Sequence, residues 1–460
     1  MTVQKQINQN GALVTLCLAS FLVPFMGSAI NLSLPQIGES FAMGAVSQSW
    51  IAGAYLIVTA IFQVPFARLA DLLGRKRIFV AGLVMFGVST FLCGLSVSGA
   101  MLIALRALSG LACAMMFGTS MAILVSIFPP RQRGKAIGIN TSVVYFALAS
   151  GPFFGGMLTH YFGWQSLFYF VGLLGMLVAI PAAVVLKGEW TEAKGEHFDY
   201  AGSAIYALGL FGLIFGFSEL PGATGFVSSA TGIICLIAFV FYELRDRQPV
   251  FDVRIFSGNR IFGLSSLSAF LNYACVSAVA FMMSLYLQYV RGFTPQNAGL
   301  ILIVQACVQC IVSFYAGRLS DRFNPSRLAT AGMAIIAAGL AGLIFVTQDT
   351  SLFFIVLLLF LLGVGFGLFS SPNSTVIMSA VDKRYYSQAS ATMGTMRLTG
   401  QAFSMGIATM AISLSTGNRP ITPDLYPGFM NSFHITFIIC TALCIAGMYT
   451  SSFRSNRNGR

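Results

Sequence analysis

Long apolar stretches, separated by short polar turns, run through almost the whole of this 460-residue chain. Each stretch holds about 20 residues, the length that a helix needs to cross a bilayer. A chain in lipid must satisfy its own backbone hydrogen bonds, which helices do locally. The sequence therefore predicts an all-α polytopic membrane protein with fourteen transmembrane helices, which we place near residues 12–34, 48–69, 78–98, 100–126, 137–160, 167–187, 200–219, 225–243, 262–289, 297–319, 326–346, 351–380, 388–415 and 430–452.

Composition excludes a soluble protein. The chain is 57% hydrophobic and 9% charged, with a mean hydropathy of +0.81, whereas a soluble domain carries about 25% charged residues. All nine Cys fall inside apolar stretches, so they offer no disulfide framework. The sequence contains no catalytic set, phosphate-binding Gly loop or metal-ligand cluster. We therefore expect no enzyme activity, no cofactor and no metal.

The positions of the cations predict the topology. With the N-terminus inside, 22 of the 26 Lys and Arg fall on the cytoplasmic side, as the positive-inside rule requires. Arg291 and Arg419 lie outside, and Arg106 and Arg397 lie within spans. The pattern predicts that both termini are cytoplasmic. It also argues against a nucleic-acid partner, despite the net charge of +12, because the cations do not line one exposed face.

A short charged turn occurs twice, 250 residues apart. Phe66–Ile78 follows span 2 and Ala316–Arg327 follows span 10, with Arg68, Leu69, Asp71 and Arg77 matched by Arg318, Leu319, Asp321 and Arg327. Parallel repeats around a midplane site are typical of secondary transporters. We therefore predict two pseudo-symmetric six-helix bundles, residues 1–187 and 246–460, and two inserted helices within residues 188–245.

Three local patterns resemble signatures of the major facilitator superfamily, specifically of its 14-spanner drug:proton antiporter branch. They are Phe66–Ile78 after span 2, Leu102–Ala114 in span 4 and Ala147–Gly156 in span 5. The resemblance covers essentially the full chain. It implies a secondary active transporter that exports small amphipathic compounds (multidrug-type efflux) by proton exchange and alternating access.

The first pattern implies a conformational latch that holds the inward side closed. Under this resemblance the latch consists of Asp71, Gly74, Arg75, Arg77, Arg318 and Asp321. Asp71 stands at a helix terminus, where its charge can meet neighbouring cations and a helix dipole. The alternative is a topology anchor with a surface ion pair of little energetic value, although such an anchor needs no Asp.

The third pattern is associated with antiporters through Gly151, Pro152, Gly155 and Gly156. Two of these glycines, at positions 151 and 155, are four residues apart and leave one helix face bare for tight packing. Pro152 removes a backbone hydrogen bond and favours a bend. Ordinary close packing would explain the same residues.

The chain departs from the family at the end of span 1, where Met26 replaces the usual acid. All fourteen acids fall in loops or at helix ends. The spans instead hold Arg106, whose burial in a membrane costs at least about 2.5 kcal/mol, and Arg397, about 15 Å deep at 1.5 Å per residue. Arg binds carboxylates or phosphates bidentately. A facilitator or exchanger of organic anions or zwitterionic amphiphiles is therefore the alternative function, with purely structural Arg residues as the simpler explanation.

Polar residues within the spans are the candidates for a substrate cavity or for coupling: Asn31, Gln63, Arg106, Tyr145, Asn272, Gln305, Gln309, Asn373 and Arg397. Any one of them could instead form a helix–helix hydrogen bond. We expect a small-molecule substrate, the lipid bilayer and protons as partners, and a monomer. The absence of glycosylation acceptors from the outer loops favours a prokaryotic inner membrane.

Overall fold

The computed structural model of the protein describes residues 8–41, 45–218, 222–246, 248–293, 295–416 and 425–453, and every regular element within these ranges is helical. The α-helices are α1 Gln9–Ser40, α2 Ala45–Leu73, α3 Arg75–Cys93, α4 Gly99–Ile127, α5 Pro130–Phe162, α6 Trp164–Val185, α7 Tyr200–Ser218, α8 Ala223–Glu243, α9 Arg254–Gly258, α10 Arg260–Leu285, α11 Pro295–Ser320, α12 Pro325–Ile344, α13 Leu352–Ser379, α14 Tyr386–Thr416 and α15 Tyr426–Phe453. Predicted spans 1–8 correspond to α1–α8, and spans 9–14 to α10–α15.

Twelve of the described helices are long and apolar enough to cross a membrane, and bent helix α5 makes a thirteenth if its two parts form one span. Helix α14 does not qualify, because its 31 residues are rich in Ser, Thr, Gln and Gly and include Arg397. The all-helical membrane class is confirmed. The count of fourteen spans stays a prediction.

Short polar side chains start several of these helices. Ser98 Oγ accepts a hydrogen bond from Met101 N at the start of α4, and Asn259 Oδ1 accepts one from Phe262 N at the start of α10. Each bond satisfies one of the backbone N–H groups that a helix leaves unpaired in its first turn. The polar turns thus define the helix starts, while the apolar stretches define the lengths.

The chain divides into two compact units. The first comprises Met1–Ala207, Glu243–Asp252 and Val381–Thr395; the second comprises Leu208–Tyr242, Val253–Ala380 and Met396–Arg460. In the first unit α1 packs on α5 and α6, α2 on α4, and α3 on α4 and α6. In the second unit α10 packs on α15, α11 on α13, and α12 on α13 and α15. Apart from the contact of α1 with α5, the packing of these helices in the second unit therefore follows that of the first. The predicted domain boundaries at residues 187 and 245 stay a prediction.

Glycines allow the helices to approach closely in both units. A Cβ on Gly172 of α6 would lie 2.8 Å from Gly87 O of α3, and a Cβ on Gly365 of α13 would lie 2.9 Å from Gly332 O of α12. Real side chains do not pack at such distances. In lipid, where apolar burial supplies little drive for helix association, this backbone proximity provides much of the packing energy.

Candidate functional site

The turn between α2 and α3 is shaped by Gly74, which has φ 118°. Residues with a Cβ rarely adopt that conformation, and the Glu189 side chain fills the place where the Cβ would stand. Glu189 Oε1 accepts a hydrogen bond from Lys76 N at 2.9 Å. A carboxylate is favourable there, because a helix N-terminus carries a partial positive charge. Glu189 therefore caps α3 from the loop after α6.

Asp71 and Arg75 form a buried ion pair at this turn. Arg75 Nε donates to Asp71 Oδ1 at 2.8 Å, and the two residues are 0% and 1% exposed. Ser387 Oγ donates to the same Asp71 oxygen at 2.6 Å, and Arg75 Nη2 donates to Lys383 O at 2.8 Å. Because Ser387 lies in the first turn of α14, the Asp71 carboxylate also faces the positive end of a helix. Two predicted latch residues thus bind a segment more than 300 positions away in the sequence.

A second chain of charges runs beside this pair. Arg68 Nη2 donates to Glu196 Oε2 at 2.6 Å, and Glu196 Oε1 accepts from Arg384 Nη2 at 2.7 Å. Arg68 is 4% exposed, so its ion pair is largely shielded from water. Arg77 is 77% exposed and lies 3.5 Å from Glu189, a pair of little energetic value. We refer below to Arg68, Asp71, Arg75, Glu196 and Arg384 as the charged cluster.

The loop after α8 binds the same segment. The Tyr385 hydroxyl donates to Asp252 Oδ2 at 3.2 Å, and Asp252 N donates to Gln388 Oε1 at 3.2 Å. Burial, together with the neighbouring Asp252 carboxylate, raises the pKa of Tyr385. Its hydroxyl therefore stays protonated and remains a hydrogen-bond donor. Residues 381–395 are held by two loops and two helices of the first unit.

The first turns of α14 lie along α2 and α4. Ser390 Oγ donates to Phe117 O at 2.8 Å, and a Cβ on Gly394 would overlap the Gln63 amide, 2.5 Å from its Cδ. Ser387, Ser390 and Gly394 share one helix face. Gln63 is 1% exposed, and neither its Oε1 nor its Nε2 has a hydrogen-bond partner among the described residues.

The second copy of the charged turn is built differently. Arg318 is exposed and its guanidinium lies over the Phe314 ring, 4.2 Å from the centroid, while Asp321 is half-buried. Pro325 stands 250 residues after Arg75 and supplies no charge, and Asn324 Oδ1 caps α12 by accepting from Ser326 N. The predicted duplication of the turn therefore does not extend to its buried Arg.

Arg106 of α4 lies fully inside the first unit, with 1% exposure. Its Nε donates to Ile51 O at 3.0 Å, and its guanidinium lies over the Tyr55 ring, 4.3 Å from the centroid. Nη1 has no hydrogen-bond partner in the part of the chain that the structure describes. The side chain thus contacts α2 and does not extend to the surface.

The remaining cavity candidates occupy different helices. Asn272 Nδ2 of α10 donates to Met333 Sδ of α12 at 3.3 Å, and Asn373 Nδ2 of α13 donates to Ser265 O of α10 at 3.2 Å. Both bonds link helices of the second unit. The others are placed as follows: Tyr145 and Gln309 are buried, Gln305 and Arg397 are half-buried, and the side chain of Asn31 lies outside what the structure describes.

Helix α5 bends by 40° between Gly151 and Phe153. Pro152, whose side chain is outside the described part, stands at the break, where it removes a backbone hydrogen bond. A Cβ on Gly155 would lie 2.5 Å from Ala29 Cβ, and one on Gly151 would lie 3.0 Å from Phe25 O. These two glycines bring α5 against α1, while Gly156 is half-buried.

Sequence reasoning missed Ser387, Glu189, Glu196 and the Lys383 carbonyl as partners of the charged turn. Glu189 and Glu196 were visible as two of the four acids in the short loop between α6 and α7, which is a usable signal. Ser387 carried none, because a lone Ser at a helix start is most often only a cap.

The long apolar helices, with buried charges at the turn between α2 and α3, are those of a polytopic membrane protein. Residues 16–405 and 265–453 match the Major Facilitator Superfamily, and the chain belongs to that family. The prediction of a transporter and not an enzyme is confirmed by this membership, as are transmembrane transport and a small-molecule substrate bound within the bilayer.

Relatives with curated descriptions are transporters. The chain is 26% identical over 396 residues to the riboflavin transporter RibZ of Clostridioides difficile, covering 86% of each chain. It is 29% identical over 417 residues to the multidrug resistance protein Stp of Mycobacterium tuberculosis, covering 89% of this chain and 77% of that one. The human organic anion transporter MFSD10 (TETRAN) has the same fold, with a TM-score of 0.72 at 14% identity over 97% of this chain and all of that one.

Proposed function

We propose that this protein is a secondary active transporter that exports small amphipathic compounds by alternating access with proton exchange. It would belong to the 14-spanner branch, with two six-helix bundles, inserted helices α7 and α8, and both termini on the cytoplasmic side of a prokaryotic inner membrane. The similarity to bacterial transporters, one of them a multidrug resistance protein, supports export and a bacterial membrane.

The buried Asp71–Arg75 pair is the observation that carries the proposal. Taking two charges out of water is unfavourable unless further hydrogen bonds complete the pair, and here those bonds come from Ser387 and Lys383. Separation of residues 381–395 from α2 and α3 would leave both charges incompletely paired until water reaches them. The cluster therefore suits a latch with two discrete states, the kind of element that alternating access requires.

A proteoliposome assay tests the proposal directly. Purified protein is reconstituted, and uptake of ethidium and of riboflavin is followed under an imposed pH gradient. We expect substrate movement that stops when an ionophore collapses the gradient. Substrate movement that continues unchanged without a gradient would contradict proton exchange but would still support transport. If no ligand of a wider screen is moved, the proposed export function is wrong.

A second candidate function is facilitated exchange of organic anions or zwitterionic amphiphiles. Its support is the buried Arg106, which has an Nη1 without a partner in the described residues, together with Met26 in place of the usual span 1 acid. Arg397 would be the second binding charge. The remaining cavity candidates, Asn31, Gln63, Tyr145, Asn272, Gln305, Gln309 and Asn373, would contribute polar contacts. Selective loss of anionic ligands by Arg397→Ala would support this function, whereas equal loss of neutral ligands would contradict it.

A further inference from the structure

Two carboxyl groups meet where the inserted helices begin and end. Asp199 immediately precedes α7, and Glu243 is the last residue of α8. A Cβ on Gly202 would lie 2.6 Å from Glu243 Oε1 and would overlap Asp199 Oδ2. Both carboxylate oxygens therefore lie next to the same space above Gly202, which a Cβ would occupy.

Glu243 is the member of this pair that needs an explanation. It is 1% exposed, and neither carboxylate oxygen accepts a hydrogen bond of ordinary geometry within the described ranges, although the N–H of Phe251 faces the group. A buried carboxylate with so few donors is strongly disfavoured. A poorly satisfied carboxyl beside a second carboxyl points to a positive species held between them.

The described charges around Glu243 are mostly negative. Those that face Glu243 are Asp199 at the start of α7, Asp246 after α8 and Arg68 of α2. Arg68 is already bound to Glu196 at 2.6 Å. Among the described groups that act on Glu243, two further carboxylates therefore stand against one cation, and the guanidinium of that cation already binds Glu196. Two carboxyl groups that approach the same Cβ position cannot both ionise readily, and they titrate as a unit.

We propose that Asp199 and Glu243 hold one proton between them, and that this proton keeps Arg68 on Glu196. When the proton leaves to water, the pair gains a negative charge and competes with Glu196 for Arg68. Because Glu196 also binds Arg384, release of Arg68 loosens the attachment of residues 381–395. This deepens the proposed function by assigning a proton site to it, and its test requires no transport substrate.

Infrared spectroscopy of the full-length protein in lipid nanodiscs at pH 7 tests the shared proton. We expect a protonated-carboxyl C=O band that shifts in D2O, disappears in Glu243→Gln and changes frequency in Asp199→Asn, because half-buried Asp199 would ionise alone, whereas buried Glu243 would keep its proton but lose the neighbour that shares it. The matched control is Asp349→Asn, an exposed turn residue, which should retain the band. Absence of the band from the unmodified protein, its survival in Glu243→Gln, or an unchanged frequency in Asp199→Asn would overturn the proposal.

Hydrogen exchange tests the link to the charged cluster. After correction for intrinsic exchange, amide protection within residues 381–395 should fall severalfold between pH 6 and pH 9 in the unmodified protein. Glu243→Gln should hold the low-pH protection at both values, because one negative charge then remains at the pair. The same pH dependence in the variant would refute the link. The infrared and hydrogen-exchange measurements do not depend on the transport assay. The shared proton and the proposed transport function can therefore be contradicted independently of each other.

Discussion

Arg75 Nε lies 2.8 Å from Asp71 Oδ1 in an ion pair that is almost completely closed to solvent. Within the described ranges, its two charges receive further hydrogen bonds from residues 383 and 387 and a long contact of 3.4 Å from Ser126. Removal of one partner from a buried pair leaves the other charge uncompensated, which typically costs about 3–5 kcal/mol. This pair should therefore dominate both the stability of the charged turn and its role in transport.

Asp71→Asn should lower the free energy of unfolding by about 3 kcal/mol and abolish transport, because Arg75 loses the one carboxylate that it binds among the described residues. Thermal unfolding in detergent and proteoliposome flux measure the two effects. Asp321→Asn is the matched control. Asp321 is half-buried, and the residue of its turn that corresponds to Arg75 is Pro325, which carries no charge. We expect that variant to keep most of its transport. Equal damage from both substitutions would contradict the special role of the first turn.

Gly394→Ala should disturb the seating of α14, because its new methyl group would overlap the Gln63 amide. Shortening the opposing side chain creates the missing space, so the double variant Gly394→Ala with Gln63→Ala should recover most of the lost thermal stability. A double-mutant cycle measures this coupling. Additive effects would show that residues 63 and 394 do not contact each other in the protein in solution.

Gln63→Leu should raise the unfolding temperature, since it replaces a buried amide that has no partner among the described residues with an apolar group of similar size. The second candidate function places Gln63 in the substrate cavity. If that is correct, transport should fall even though the protein is more stable. Increased stability with unchanged transport would assign Gln63 to packing alone. The two readouts are melting temperature and flux on the same preparation.

Arg106→Met should leave the unfolding temperature within a few degrees of wild type. It removes a buried charge while it keeps an unbranched side chain of similar volume, and such exchanges are often neutral or stabilising. If Arg106 binds anionic substrates, affinity for those ligands should fall at least about tenfold, equivalent to about 1.4 kcal/mol. Binding of a neutral ligand by tryptophan quenching is the control. Unfolding of the variant with loss of all binding would identify the bonds to Ile51 and Tyr55 as structural.

The membrane class and the positions of the helices were predictable because they depend on local apolar length, which the sequence displays directly. The α5 bend was predictable as well, because Pro152 removes a backbone hydrogen bond within its own helix. Long-range partners were not predictable: the contact of Asp71 with Ser387 joins positions 316 apart, and no local pattern marks it. Helix α14 shows a second reason why prediction fails. Its polar residues contact α2 and α4, and the same residues lower the apolarity by which a membrane span is recognised.

The polar loop between α6 and α7 has a practical consequence for engineering. By hydropathy it is the obvious place to insert a fluorescent reporter or a protease site. Yet Trp190 O accepts from Arg75 N at 3.0 Å, Ala193 N donates to Asp71 O at 3.1 Å, and Glu189 and Glu196 bind the same turn. A foreign domain in this loop would act on the charged cluster directly, so labels belong elsewhere, and an antibody fragment raised against residues 187–199 would be a candidate inhibitor.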